Sequence, residues 1–120
     1  MIILTFEEAQ ETLTQLIDDL PDEIFKGLNC GVALVPDVLF DENGLLILGQ
    51  YHVDPNGLGR YVTINYGSLM HNYGFLPAEA FREKIKEVLN HELVHHLENM
   101  AGDRSLEIED AINKRRYLGY

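Results

Sequence analysis

The chain has 120 residues, and nine lysines and arginines against twenty aspartates and glutamates give a formal net charge of −11. That length fits one domain able to bury its own core, and that charge repels phosphate backbones, which sets nucleic acid aside as a partner. With a single cysteine, no apolar run of membrane-spanning length, and an N-terminus that meets Glu7 and Glu8 before any signal-peptide pattern develops, a cytoplasmic protein with no membrane partner is expected.

Thr5 and Glu8 form a capping-box pattern ahead of Phe6, Ala9, Leu13, Leu16, Ile17 and Leu20. Their spacing predicts an amphipathic helix over 6–20, stopped by Pro21. A short helical turn over 22–26 follows. Cys30 then opens the apolar run Gly31-Val32-Ala33-Leu34-Val35, which predicts a buried small hydrophobe rather than a nucleophile or ligand.

Three strand-like runs follow, over 30–35, 45–51 and 60–66. Asp41-Glu42-Asn43-Gly44 and Asp54-Pro55-Asn56-Gly57 separate them with hairpin turn chemistry. Connections this short leave no room for helical crossovers, so antiparallel neighbours are expected. Residues 67–76 read as a loop, and Pro77 suits a first helical position. Phe81, Ile85, Val88, Leu89, Leu93, Leu97 and Met100 predict a long, well-buried helix over 78–101, with Gly102 at its cap. A last helix over 105–117 would end near Lys114, Arg115 and Arg116, a basic cluster that complements a helix C-terminus. The expected class is α+β: a small antiparallel sheet packed on the long helix and one or two others, in a single domain over 1–120.

The long helix carries His91-Glu92-Leu93-Val94-His95. Residues four apart share a helix face, so His91 and His95 project together and can hold one metal ion. Imidazole nitrogen suits Zn2+. Glu92, rotated by about 100° from His91, can take a proton from the water that zinc activates without itself being a ligand. The alternative is a chance cluster on a buried helix, but polar groups in an apolar helix are costly without a partner.

Catalytic zinc sites keep three protein ligands and one open position. Asp103, just past the Gly102 cap, is a candidate third ligand. Glu98 lies on the same side of the helix as His91, about 10.5 Å further along the axis, which suits a partner that orients a histidine better than a ligand. Glu107 is a further candidate. His96 points away from His95 and reads as a structural hydrogen-bonding residue, while His52 and His71 fall in predicted loops and read as surface residues. Tyr51, Tyr61, Tyr66 and Tyr73 are all candidates for donating to a developing oxyanion, although packing is the plainer role for each.

The chain resembles the small bacterial zincin-like metallopeptidases, single domains of about this length. The resemblance rests on His91-Glu92-Leu93-Val94-His95-His96, on Val62-Thr63-Ile64-Asn65-Tyr66-Gly67-Ser68-Leu69, and on the opening Phe6-Glu7-Glu8 helix that ends at Leu20-Pro21. It implies a minimal zincin fold, with zinc held by the two motif histidines and a downstream acidic residue. Glu98 and Ala101 stand where the family often has glycine and aspartate. Its Asp-x-x-Leu pattern matches Asp103-Arg104-Ser105-Leu106 after an insertion of two residues.

Two functions are therefore expected to compete. One is a zinc peptidase acting on peptides or unfolded proteins, with an exposed sheet edge holding the substrate as an added strand. The other is an inactive interaction or regulatory domain with at most a structural metal. Glu92 favours the enzyme, since a structural site has no use for a general base.

Overall fold

Thr5 opens the first helix with the predicted reciprocal cap. Its Oγ1 accepts from the Glu8 N–H at 3.1 Å, and Glu8 Oε1 accepts from the Thr5 N–H at 2.9 Å, which satisfies donors otherwise orphaned at a helix N-terminus. The computed structural model describes residues 3–56 and 59–102. In it helix α1 spans Phe6–Asp18 and buries Ala9, Thr12 and Leu13. A 3-10 turn, Asp22–Phe25, follows Pro21.

Strands β1 (Val32–Val35), β2 (Gly49–Val53) and β3 (Arg60–Asn65) form one sheet in the order β1-β3-β2. β2 and β3 are the expected antiparallel hairpin, with Gly49 opposite Ile64 and Val53 opposite Arg60. β1 departs from expectation: it lies parallel to β3, with Val32 opposite Val62 and Val35 opposite Asn65, so the sheet is mixed rather than all antiparallel. The reason lies in residues 36–48. The Asp41–Gly44 turn forms as its chemistry demands, with Asp41 Oδ1 accepting from the Asn43 and Leu45 N–H groups and Gly44 at φ +81°. It closes only a single bridge, Phe40 to Leu46. The connection therefore carries its own small hairpin and delivers the chain to the far edge, and β3 returns through the middle.

One sheet face holds Leu34, Val62 and Ile64, all buried, beneath the helices. The other carries His52, stacked on Tyr61 with ring centroids 4.3 Å apart and bonded to Thr63 Oγ1 at 2.9 Å. His52 thus lies half-buried on β2 rather than in a loop.

Residues 66–73 form helix α2 (Tyr66–Tyr73), where the sequence pattern predicts a loop. Local propensity is weak there, and tertiary contacts supply the order. The Ser68 N–H donates to Asp37 O at 3.1 Å, and Ser68 Oγ accepts from the Leu39 N–H at 2.9 Å. Gly67 permits this docking, because a Cβ there would sit 2.4 Å from Pro36 O. His71 belongs to this helix, exposed, with its ring edge-on to Phe40.

Helix α3 spans Ala78–Ala101 and caps at Gly102. Its buried stripe is Phe81, Ile85, Val88, Leu89, Glu92, Leu93 and His96, the 3–4 spacing of a core-facing helix. With Leu4, Leu13, Leu69 and the sheet it encloses the core. Among the described residues no helix is long and apolar enough to cross a membrane. Cys30 is exposed rather than buried: it sits before the strand proper, where Gly31 takes φ +76°. Asp103, Glu107, the predicted final helix and the Lys114-Arg115-Arg116 cluster lie outside the described residues.

Candidate metal centre and cleft

Three motif side chains converge. The donor atoms of His91, Glu92 and His95 all lie within 4.8 Å of one another, and the Nε2 atoms of His91 and His95 face each other at 3.2 Å. Two nitrogens at about 2.0–2.1 Å from a tetrahedral ion are separated by roughly 3.3 Å, so the spacing of the pair matches that of two ligands sharing one zinc. Burial, then the neighbouring positive charge of His95, holds the His91 imidazole below the usual histidine range, with Glu98 partly offsetting this. That favours the neutral imidazole a metal needs.

Burial differs across the triad. Glu92 is 6% exposed, His91 is intermediate and His95 is exposed. The desolvation cost expected from the sequence therefore falls on Glu92 and partly on His91, and not on His95. Burial raises the Glu92 carboxyl above its ordinary value, with His95 partly countering it. A carboxyl moved upward in this way holds its proton more readily than one in water.

Glu98 is not part of the converging group among the described residues; its charge acts on His91. His96 has the structural role expected of it. Fully buried, it donates Nε2–H to Lys26 O at 2.8 Å, and its Nδ1 lies 2.9 Å from Tyr51 Oη. A carbonyl only accepts, so Nε2 carries the proton, and the neutral ring accepts from Tyr51 at Nδ1. Burial holds this imidazole low as well.

Strand β2 runs beside α3, and a cleft lies between them. Leu46, Ile47, Leu48, Gly49, Glu87, Val88, His91 and Glu92 line one part, of about 370 Å³. Gln50, Tyr51, Val53, Glu92, His95 and Asn99 line the other, of about 430 Å³. Each is large enough for a small ligand group, and Glu92 is common to both. Gly49 permits this arrangement. A Cβ there would come within 2.6 Å of Val88 Cγ1 and 3.3 Å of Glu92 Cγ, so only glycine lets the strand lie this close to the helix. β2 is also a sheet edge. Leu48 O accepts from the Asn65 N–H, and the Asp54 N–H donates to Gly59 O. The even-numbered positions therefore bond to β3, and the N–H and C=O groups of Gly49, Tyr51 and Val53 turn outward.

Of the four tyrosines, Tyr51 is the one that lines this cleft. Tyr66 donates to Leu4 O at 2.5 Å, Tyr61 stacks on the far sheet face, and the Tyr73 ring receives the Lys84 ammonium. Gly49 and Asn99 shape the cleft although no motif marks them. A glycine inside an apolar strand pattern signals close backbone approach, and for Gly49 that signal is present in the sequence.

The chain is similar to a conserved hypothetical protein of T. thermophilus. The solved structure of that protein superposes with a TM-score of 0.69 at 29% identity, covering 83% of this chain and 100% of that one. No family model matches the chain, and no curated protein does. The α+β architecture is thus shared with a solved protein.

Proposed function

We propose that this protein is a zinc-dependent metallopeptidase of the minimal zincin type it resembles, hydrolysing peptide bonds in peptides or unfolded proteins in the cytoplasm. The observation that carries the reading is the convergence of His91, Glu92 and His95 in the wall of a cleft bordered by a sheet edge. His91 and His95 would hold the ion, with Asp103 as the third ligand. Zinc bound there supplies Lewis acidity, which makes a water molecule acidic enough to act as nucleophile near neutral pH.

The remaining steps belong to the chain. Glu92 takes the proton from the attacking water and delivers it to the leaving amine, so one carboxyl serves as base and then as acid. Its burial keeps bulk water away from that transfer. The outward backbone groups of Gly49, Tyr51 and Val53 bind an extended substrate as an additional strand, which suits flexible rather than folded targets.

Elemental analysis of the purified protein beside a peptide-library digest tests the reading. About one zinc per chain, together with cleavage that Glu92→Gln abolishes, is expected. Absence of zinc after reconstitution would reduce the motif to packing and favour an interaction domain.

A further inference from the structure

Asn99 follows His95 by four residues, so the two share a helix face, and both line the larger part of the cleft. Its amide orientation is fixed. Arg60 Nε can only donate, and it lies 2.8 Å from Asn99 Oδ1, with Tyr51 Oη 3.2 Å from the same atom. The single Tyr51 proton goes to His96 Nδ1, so Arg60 on β3 is the donor that pins the Oδ1 end, and the planar amide must point Nδ2 the other way. Among the described residues Nδ2 has no hydrogen-bond partner, and the side chain is only half-buried. An amide held so firmly at its acceptor end presents two donors at low entropic cost, the arrangement that fixes a ligand's polar group.

The two parts of the cleft differ in chemistry. Leu46, Leu48 and Val88 give the Glu87 side an apolar wall, while Gln50, Tyr51, His95 and Asn99 give the other a polar one. We infer that the polar part is a substrate subsite in which Asn99 Nδ2 donates to a neutral acceptor side chain, the amide of glutamine or asparagine, on the residue beyond Glu92 from the apolar pocket. This rests on the peptidase reading above. A carboxylate is the poorer occupant, because Glu92 borders the same space and the chain carries a net charge of −11.

The test uses zinc-loaded, full-length Glu92→Gln protein, which retains peptides without cutting them, and a positionally randomised peptide library read by mass spectrometry. Enrichment of Gln and Asn at one position, roughly three- to tenfold as befits one neutral hydrogen bond, is expected. Adding Asn99→Asp keeps an acceptor for Arg60 but replaces the donors with an oxygen. It should abolish the enrichment and select Lys or Arg instead, with thermal stability and zinc content retained. Asn99→Leu should abolish the enrichment without selecting cations, which separates loss of the donor from the added charge. Peptides retained with the same Gln and Asn preference in both variants would overturn the subsite and leave the peptidase reading standing. Failure to retain any peptide, together with no cleavage by the parent protein, would remove that reading and the subsite with it.

Discussion

His95 Nε2 faces His91 Nε2 at 3.2 Å across one turn of α3. Two imidazolium rings cannot both sit at that distance without strong repulsion, and the charge of His95 is one of the causes that hold His91 low. His91 is thus biased towards its neutral form. A metal that binds neutral imidazole then has few protons to displace.

Zinc binding should follow from that geometry. His91→Ala should take the protein from about one zinc per chain to near none. It should also remove the stabilisation that zinc confers on the parent, about 2.7 kcal/mol at a hundred times the dissociation constant. Asp103→Ala should weaken zinc at least about tenfold in a competition titration with a chelator. Unchanged affinity would transfer the third-ligand role to Glu98 or Glu107.

Glu92→Gln should lower peptide hydrolysis by about 10²–10⁴-fold while zinc content stays the same. It also has a pH signature in the metal-free protein. The carboxyl is raised in the folded state above its ordinary value of 4.5. Below 4.5 the group is protonated in folded and unfolded chains alike, and burying it carries no charge penalty. As pH rises through 4.5 towards the folded-state value, the unfolded chain ionises first and the fold loses stability. The melting temperature of metal-free Glu92→Gln should therefore exceed that of the parent at neutral pH, with the gap closing below pH 4.5. A gap independent of pH would show that the carboxylate is not desolvated.

Gly49→Ala should destabilise the fold by about 1–3 kcal/mol, the cost of forcing a methyl group into a packed contact, because the new Cβ falls 2.6 Å from Val88 Cγ1. Removing that methyl should relieve it. In a double-mutant cycle, Gly49→Ala with Val88→Ala should lose less stability than the sum of the single changes. Strict additivity in denaturant melts would mean that β2 and α3 do not meet at this contact.

Much of this is legible in the sequence because it is local. The Thr5–Glu8 cap, the β2–β3 hairpin and α3 over Ala78–Ala101 each follow from signals a few residues apart. The motif is legible for the same reason, since the i,i+4 relation of His91 and His95 is a property of one helix. What fails depends on distant partners. Helix α2 is held by Asp37 and Leu39, about thirty residues upstream, and the parallel β1–β3 pairing depends on where the 36–48 excursion delivers the chain. The apolar run after Cys30 suggests burial, but whether that residue lies inside the strand or just before it is decided by its neighbours in space. Asn99 is invisible for the same reason: its orientation depends on Arg60, 39 residues away.

The doubled histidine divides its labour, and Tyr51→Phe separates the two halves. His96 is fully buried with Nε2–H committed to Lys26 O. The Tyr51 hydroxyl is the group beside its Nδ1, and burial already raises the phenol above its ordinary range, so it remains a donor at neutral pH. Deleting that hydroxyl strands a buried acceptor, which costs about 1–3 kcal/mol. The melting temperature should fall accordingly. Zinc content should not, because His96 faces the 3-10 turn and the sheet rather than the His91–His95 pair. Loss of zinc with an unchanged melting temperature would reverse the assignment and make His96, rather than a downstream acid, the residue that completes the site.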